Sequence, residues 1–404
     1  MTATLVSALD LPFLGFGEDR NERLRAGLEA ARESWIARGE IGYSILRYDD
    51  VVAVLRDKRW HSAVPLVIEM SAEATPEFKM RRRESILSAE GDTHVRLRRL
   101  VAPAFSPRRA DTLRPAMREV VNGLVDRVAS AGRADIATDI CEPYPIPIIC
   151  ELLGAPKQDW ESFSRWATDV LRVFDNNFRN DMPLIMAAQD ELDAYTRGLI
   201  AERRSEPRDD LLTDLIAAEE AGDKLTTEEL VMMVEAVIVG GTDTTRNQLG
   251  LAVDLLLDHP DEWRRLADDP SVAARVVEET MRINGAVRAT GRVASCDIDY
   301  KGVLFPAGTL VFPLLAAANR DTAVFNDPNS FDSGPRETNQ PQLTFGSGIH
   351  YCLGAALARA ELQEALPLLA RRMPNIRRAG EPSYKIATAG IFGPTSLPIE
   401  FDPT

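Results

Sequence analysis

The stretch Phe345-Gly346-Ser347-Gly348-Ile349-His350-Tyr351-Cys352-Leu353-Gly354 presents one cysteine from a glycine-punctuated loop at the head of an apolar run. That arrangement suits a thiolate metal ligand. Gly346 and Gly348 remove side chains where a flat cofactor would lie against the backbone, and they permit positive φ. A helix beginning near Cys352 would turn unpaired N–H groups and a positive dipole end toward the sulfur, lowering the thiol pKa and favouring the anion that binds metal. Two plainer readings compete. A dinucleotide fingerprint needs a third glycine where Tyr351 stands and a preceding βαβ unit, and neither is present. A buried structural cysteine needs no frame of glycine, aromatic and histidine around it.

Length and composition bound the remaining possibilities. The chain of 404 residues has no Ser/Pro/Gly linker, low-complexity tract or repeat, so 1–404 reads as a single domain. Apolar residues make up 45 % of it, enough for a core that encloses a cofactor. A formal net charge of −15 argues against nucleic acid, whose binding needs a basic footprint. Cys141, Cys150, Cys296 and Cys352 form no CxxC pair and point to a reducing compartment. The N-terminal residues include Asp10, Glu18, Asp19 and Arg20 and lack the pattern of a signal peptide. The apolar run Val231 to Val239 is broken by Glu235 and is far shorter than the roughly 20 residues that span a bilayer. A soluble, cytoplasmic protein without a membrane partner is expected.

Periodicity predicts a mainly helical chain with short strand insertions. Leu24, Leu28, Ala31 and Trp35 place a helix over 21–38, Tyr43 to Arg47 alternates as a strand, and Asp49 or Asp50 can cap the helix that follows. Residues 62–90 lack a clear period and read as a long irregular segment suited to a lid, with Lys79 to Arg83 a solvated charge run. Helices are expected from about Thr93 to Ser130 and from Trp160 to Arg204, broken near Pro107 and Pro183. Strands are expected around Arg292 to Pro313 and Ser383 to Phe401.

The longest helix is the second strong signal. Thr226 and Glu229 form a capping box, and apolar residues continue to Leu257 before His259-Pro260 stops the run. Its middle, Gly240-Gly241-Thr242-Asp243-Thr244-Thr245, is poor in helix formers. Bare backbone at Gly240 and Gly241 would admit a flat ligand, and a threonine hydroxyl can bond one turn back and bulge the helix. Asp243 beside Thr244 sets a carboxylate next to a hydroxyl, a pair able to relay protons. The plainer alternative is a kink at a packing crossover. A third signal, Glu279-Thr280-Met281-Arg282, pairs acid and base on one helix face, a spacing that alone says solvated surface.

With these motifs in this order, residues 40–404 resemble the cytochrome P-450 family. The resemblance implies that fold: a helical triangular prism with a small β subdomain and a long central helix. It implies Cys352 as the axial ligand of haem b, with electron donation that promotes O–O cleavage. Phe345, Gly346, Gly348 and Gly354 then frame the haem, Gly240 and Gly241 admit it, and His94, Arg98, Arg292 and His350 hold its propionates. Asp243 and Thr244 become the oxygen-activation pair, and Glu279 with Arg282 a structural pair. The arginine that usually joins that pair is replaced by Ser330, with Arg336 a possible substitute, and Arg288 reads as a propionate contact or salt bridge.

The implied reaction is insertion of one oxygen atom into a small hydrophobic molecule, with electrons from NAD(P)H through a reductase and a ferredoxin. By analogy with the family fold, the pocket draws on 62–90, 171–188, Val234 to Val239, Val287 to Thr290 and Ile391-Phe392. His94, Arg96, Arg98, Arg99, Arg108, Arg109 and Arg359 would form a basic docking face on the cysteine side. The rival functions are a peroxide-using enzyme of the same fold, which would lack the Asp243–Thr244 pair, and a non-catalytic haem sensor or recruitment domain.

Overall fold

The computed structural model describes residues 3–15, 22–69, 71–174, 177–220, 225–335, 340–385 and 391–404. Thr226 accepts from the Glu229 N–H and Glu229 reaches back to the Thr226 N–H, so the capping box starts the helix Thr227–Leu256 as its sequence demands. Thirty residues at 1.5 Å each give this central helix a length of about 45 Å. It is buried on nearly every side, which explains an apolar pattern without a polar face. Helices Pro145–Leu153, Trp160–Leu171, Phe178–Ser205 and Ala355–Arg372 all pack on it.

The strands form four separate sheets among the described residues. A six-stranded sheet runs in the order Phe13–Leu14, Ile36–Gly39, Tyr43–Ile45, Leu310–Pro313, Arg292–Ala294, Trp60–Ser62. Its last pair is antiparallel and sets Ser62 opposite Arg292. Smaller sheets take in the C-terminal strands, including Ser383–Tyr384 and Pro398–Glu400.

Several expected boundaries move. The first helix ends at Glu33, because Ile36 to Gly39 joins the sheet instead. The helix Tyr48–Arg56 is capped by Arg47 without a side-chain bond, leaving Asp49 and Asp50 in its first turn. Pro183 lies inside Phe178–Ser205 as its sixth residue, so the helix continues through it without the N–H bond to the Arg179 carbonyl; the break comes earlier. The segment 62–90 is not irregular: it forms Val64–Glu69 and Pro76–Glu84, the latter capped by Thr75 with proline at its first position.

The Glu279–Arg282 pair is buried rather than solvated, at 3 % and 4 % exposure. Arg282 donates to both Glu279 carboxylate oxygens at 2.6 and 2.8 Å and to the carbonyls of Asn319, Pro328 and Ser330 at 3.0, 2.7 and 3.0 Å. Glu279 also accepts the Asp332 N–H at 3.0 Å. Ser330 therefore contributes a main-chain acceptor where an arginine side chain was expected, and Arg336 lies outside the described residues. Replacing Arg282 by alanine strands a buried carboxylate and several carbonyls. A stability loss of about 3–5 kcal/mol is expected, read as a lowered urea midpoint at unchanged slope.

Candidate functional site

The cysteine loop is fastened by its own backbone: Cys352 N–H donates to the Phe345 carbonyl at 2.9 Å and Gly346 N–H to the Leu343 carbonyl at 2.7 Å. Gly346 and Gly348 have φ of 70° and 72°. Their causes differ. Space beside Gly346 is open for 4 Å, whereas a Cβ at Gly348 would sit 2.0 Å from the Leu55 carbonyl oxygen at the end of the helix Tyr48–Arg56. Gly348 is thus required by the approach of that helix and not by a cofactor, and Arg56 Nε bonds Ser347 Oγ at the same junction, 3.1 Å.

The helix begins at Ala355, three residues beyond Cys352. Burial pushes the Cys352 thiol above its ordinary value, against the opposing pull of the Gly354 N–H, Arg98 and Arg359. The lowered thiol pKa expected from a helix end is therefore overturned for the unmetallated sulfur, because desolvation of the anion outweighs one N–H and two distant charges.

The central helix runs unbroken through Gly240-Thr245. Thr244 Oγ1 does donate one turn back, to the Gly240 carbonyl at 2.9 Å, and Thr242 to the Ile238 carbonyl at 2.6 Å. Nothing lies within 4 Å of a Cβ built on Gly240, but one on Gly241 would meet Ile149 Cδ1 at 2.3 Å. Gly240 borders open space; Gly241 serves a helix crossing. Thr245 Oγ1 lies 3.4 Å from Glu361 Oε2, so the two motif-bearing helices touch.

Asp243 is 2 % exposed and engaged elsewhere. Its carboxylate accepts from Lys385 Nζ at 2.9 and 3.0 Å and from Arg246 Nε at 2.7 Å, and Arg246 continues to Thr168 Oγ1 at 2.8 Å. The expected acid–hydroxyl relay is not preformed: Asp243 faces two cations, Thr244 faces its own helix, and no hydrogen bond joins them among the described residues. Arg246 lay within reach of sequence reasoning as an i+3 partner; Lys385, distant in the chain, did not.

The four bases expected to hold carboxylates converge. The His94 ring lies 4.6 Å from that of His350, and Arg98 donates to the Tyr351 and Ile349 carbonyls at 2.7 and 3.3 Å. Arg292 donates to Thr290 Oγ1 and the Gly291 carbonyl at 3.0 and 2.8 Å. Burial lowers His94 to about 4 and Arg292 to about 10. Glu90, which the sequence reading missed, bonds His350 Nε2 at 3.0 Å and the Ser62 N–H at 2.7 Å. Burial works to raise its carboxyl, but those hydrogen bonds prevail and hold it below the ordinary range.

The basic docking face is thinner than expected. His94 is buried, Arg96 is bidentate to Glu229 at 2.5 and 3.0 Å, and Arg359 pairs with Glu278 at 2.5 and 3.2 Å beneath the Phe345 ring. Arg99 and Arg108 remain exposed. Arg288 lies over the Phe392 ring, 3.4 Å from its centroid, and bonds Asn284 at 3.2 Å, in a cleft lined by neither Cys352 nor the central glycines.

Residues 67–273 and 271–373 match the family described as Cytochrome P450. The chain belongs to the cytochrome P450 family. It is 37 % identical over 399 residues to nocardicin C N-oxygenase of Nocardia uniformis subsp. tsuyamanensis, covering 97 % of this chain and 96 % of the relative. It is 38 % identical to mycinamicin IV hydroxylase/epoxidase of Micromonospora griseorubida, covering 89 % and 90 %. The crystal structure of CalO2 superposes with a TM-score of 0.88 at 31 % identity, covering 95 % and 97 %. This P450 is accordingly a haem-dependent oxidoreductase of the monooxygenase class, and among the described residues no helix is long and apolar enough to cross a membrane. Its residues fit the family's haem: a half-buried sulfur, open space beside Gly240, Gly346 and Gly354, and bases gathered beside the cysteine loop.

The two loop glycines separate in a stability measurement. Gly346→Ala should cost only the left-handed backbone penalty, about 1–2 kcal/mol, whereas Gly348→Ala adds an overlap with backbone worth about 1–3 kcal/mol more. Urea midpoints of the two variants, compared with the parent, check the order.

Proposed function

We propose that this P450 binds haem b through Cys352 and inserts one atom of dioxygen into a small, largely apolar substrate. Electrons come from NAD(P)H through a reductase and a ferredoxin-type carrier, in the cytoplasm. The observation that carries the reading is the placement of a half-buried cysteine in a loop just before a helix that touches the Gly240–Thr245 stretch, with His94, Arg98 and His350 gathered beside that loop and Arg292 near their partner Glu90. Once bound, the thiolate-ligated iron supplies the dioxygen chemistry. Everything else falls to the chain. His350 and Arg292 would exchange part of their contact with Glu90 and local carbonyls for the cofactor's carboxylates, and His94 would donate a ring N–H to them.

Thr244 offers a hydroxyl at the bare helix face, where it can accept and pass a proton while bonded to the Gly240 carbonyl. Asp243 can exchange protons with that face only by leaving Lys385 and Arg246, so its role is delivery from the network behind the helix. Retention of this acid and hydroxyl favours dioxygen over peroxide as oxidant.

The reduced carbon monoxide complex is expected to show the red-shifted Soret band of thiolate ligation, and Cys352→His to lose it; a histidine-type spectrum in the parent would overturn the assignment. Thr244→Ala should bind substrate normally yet divert electrons to peroxide, read by the product-to-NAD(P)H ratio, while Asp243→Asn should slow turnover by about 10²-fold, read by the rate of product formation. For the carrier, Arg99→Glu with Arg108→Glu should slow reduction and weaken its salt dependence at constant substrate affinity, measured by stopped flow.

A further inference from the structure

A narrow cleft lies between the helix Pro76–Glu84 and the central helix, with Phe78, Val170, Met232, Ala236 and Val239 among its apolar lining. Ala236, Gly240 and Thr244 follow at steps of four residues and so share one face of the central helix. The wall of this cleft therefore runs along the same face as the open space beside Gly240.

Arg82 also lines this cleft. Its Nε and Nη2 are shielded from solvent and find no hydrogen-bond partner among the described residues. The guanidinium lies 5.3 Å from the centroid of the Phe78 ring. The nearby acid is taken: Glu235 accepts from Arg81 Nη2 at 3.1 and 3.3 Å and from Gln189 Nε2 at 2.8 Å. Arg81 in turn reaches Asp193 at 2.6 Å. Burial lowers Arg82 to about 10, partly offset by Glu235, so the side chain remains a cation at neutral pH.

A buried cation with unused donors is costly unless something supplies the missing acceptors. Nε and Nη2 form the side-on fork of an arginine, whose two parallel N–H groups match the oxygens of a carboxylate. We propose that the substrate carries a carboxylate, which Arg82 binds through Nε and Nη2 while the apolar remainder lies along Met232, Ala236 and Val239 toward Gly240. This rests on the monooxygenase reading and narrows it from an apolar molecule to an amphipathic acid. Arg82 is then a specificity-determining residue, and the charge run Lys79 to Arg83, read from sequence as solvated, has Arg81 and Arg82 turned inward, the first ion-paired and the second without a hydrogen-bond partner for Nε and Nη2.

The test uses the haem-loaded full chain and matched pairs of probes, each a carboxylic acid and its primary amide, on linear alkyl and aryl skeletons. Binding is followed by haem absorbance and by calorimetry. In the parent the acid of a pair should bind about ten- to a hundredfold more tightly than the amide, the worth of a charge-assisted hydrogen bond. Arg82→Met should bring the acid down to the level of its amide, Arg82→Lys should keep part of the preference, and Arg81→Met should keep it. Equal binding of acid and amide in the parent, binding of no acid, or a preference that survives Arg82→Met overturns the proposal. The carbon monoxide spectrum of each preparation is recorded first, so failure of thiolate ligation is seen separately from failure of acid selection.

Discussion

Two charges removed from water hold the segment leading to the cysteine loop. Glu279 and Arg282 stabilise the fold only if nearly every lone pair and proton between them is satisfied, because the desolvation of each ion otherwise exceeds their attraction. The chain meets that demand with main-chain groups drawn from Asn319, Pro328, Ser330 and Asp332. A segment with little secondary structure of its own thereby acquires fixed anchor points just before the loop that carries Cys352. The same helix also holds the loop start: Thr344 Oγ1 donates to the Met281 carbonyl at 2.8 Å.

The central helix answers a different requirement. It must be buried all round, yet present bare backbone on one side and polar groups in its middle. The polar groups are satisfied locally or across helices, by Thr242 and Thr244 to their own carbonyls and by Asp243 to Arg246 and Lys385. Asp243 is left deep but neutralised, which stabilises the fold and removes the carboxylate from the face it would serve. Activity through this acid then requires breaking bonds that stability favours, and the balance between the two is set by Lys385 and Arg246 together.

Arg82 shows the opposite situation, a buried cation left with unused donors. Its neighbours Arg81 and Gln189 take the hydrogen bonds of Glu235, which acts on Arg82 only through its charge. Natural cores rarely keep such a group without a reason, and a pocket wall facing the central helix supplies one.

The sequence by itself determined the central helix and its cap, the cysteine loop and the order of the motifs. These are local signals: a capping box, a glycine at positive φ, an i, i+4 spacing. It misread whatever depended on distant partners. The Glu279–Arg282 spacing looks the same in water and in a core, so only the carbonyls of 319–330 reveal that it is buried. Gly241 and Gly348 read as room for a cofactor until Ile149 and the Leu55 carbonyl occupy the space beside them. Asp243 reads as a relay until Lys385, 142 residues away, arrives at its carboxylate. Periodicity cannot tell which arginines of a charged run face inward, and tertiary packing decided that Arg81 meets Glu235 while Arg82 keeps unused donors, because a side chain's surroundings are fixed by elements its own sequence neighbourhood does not contain.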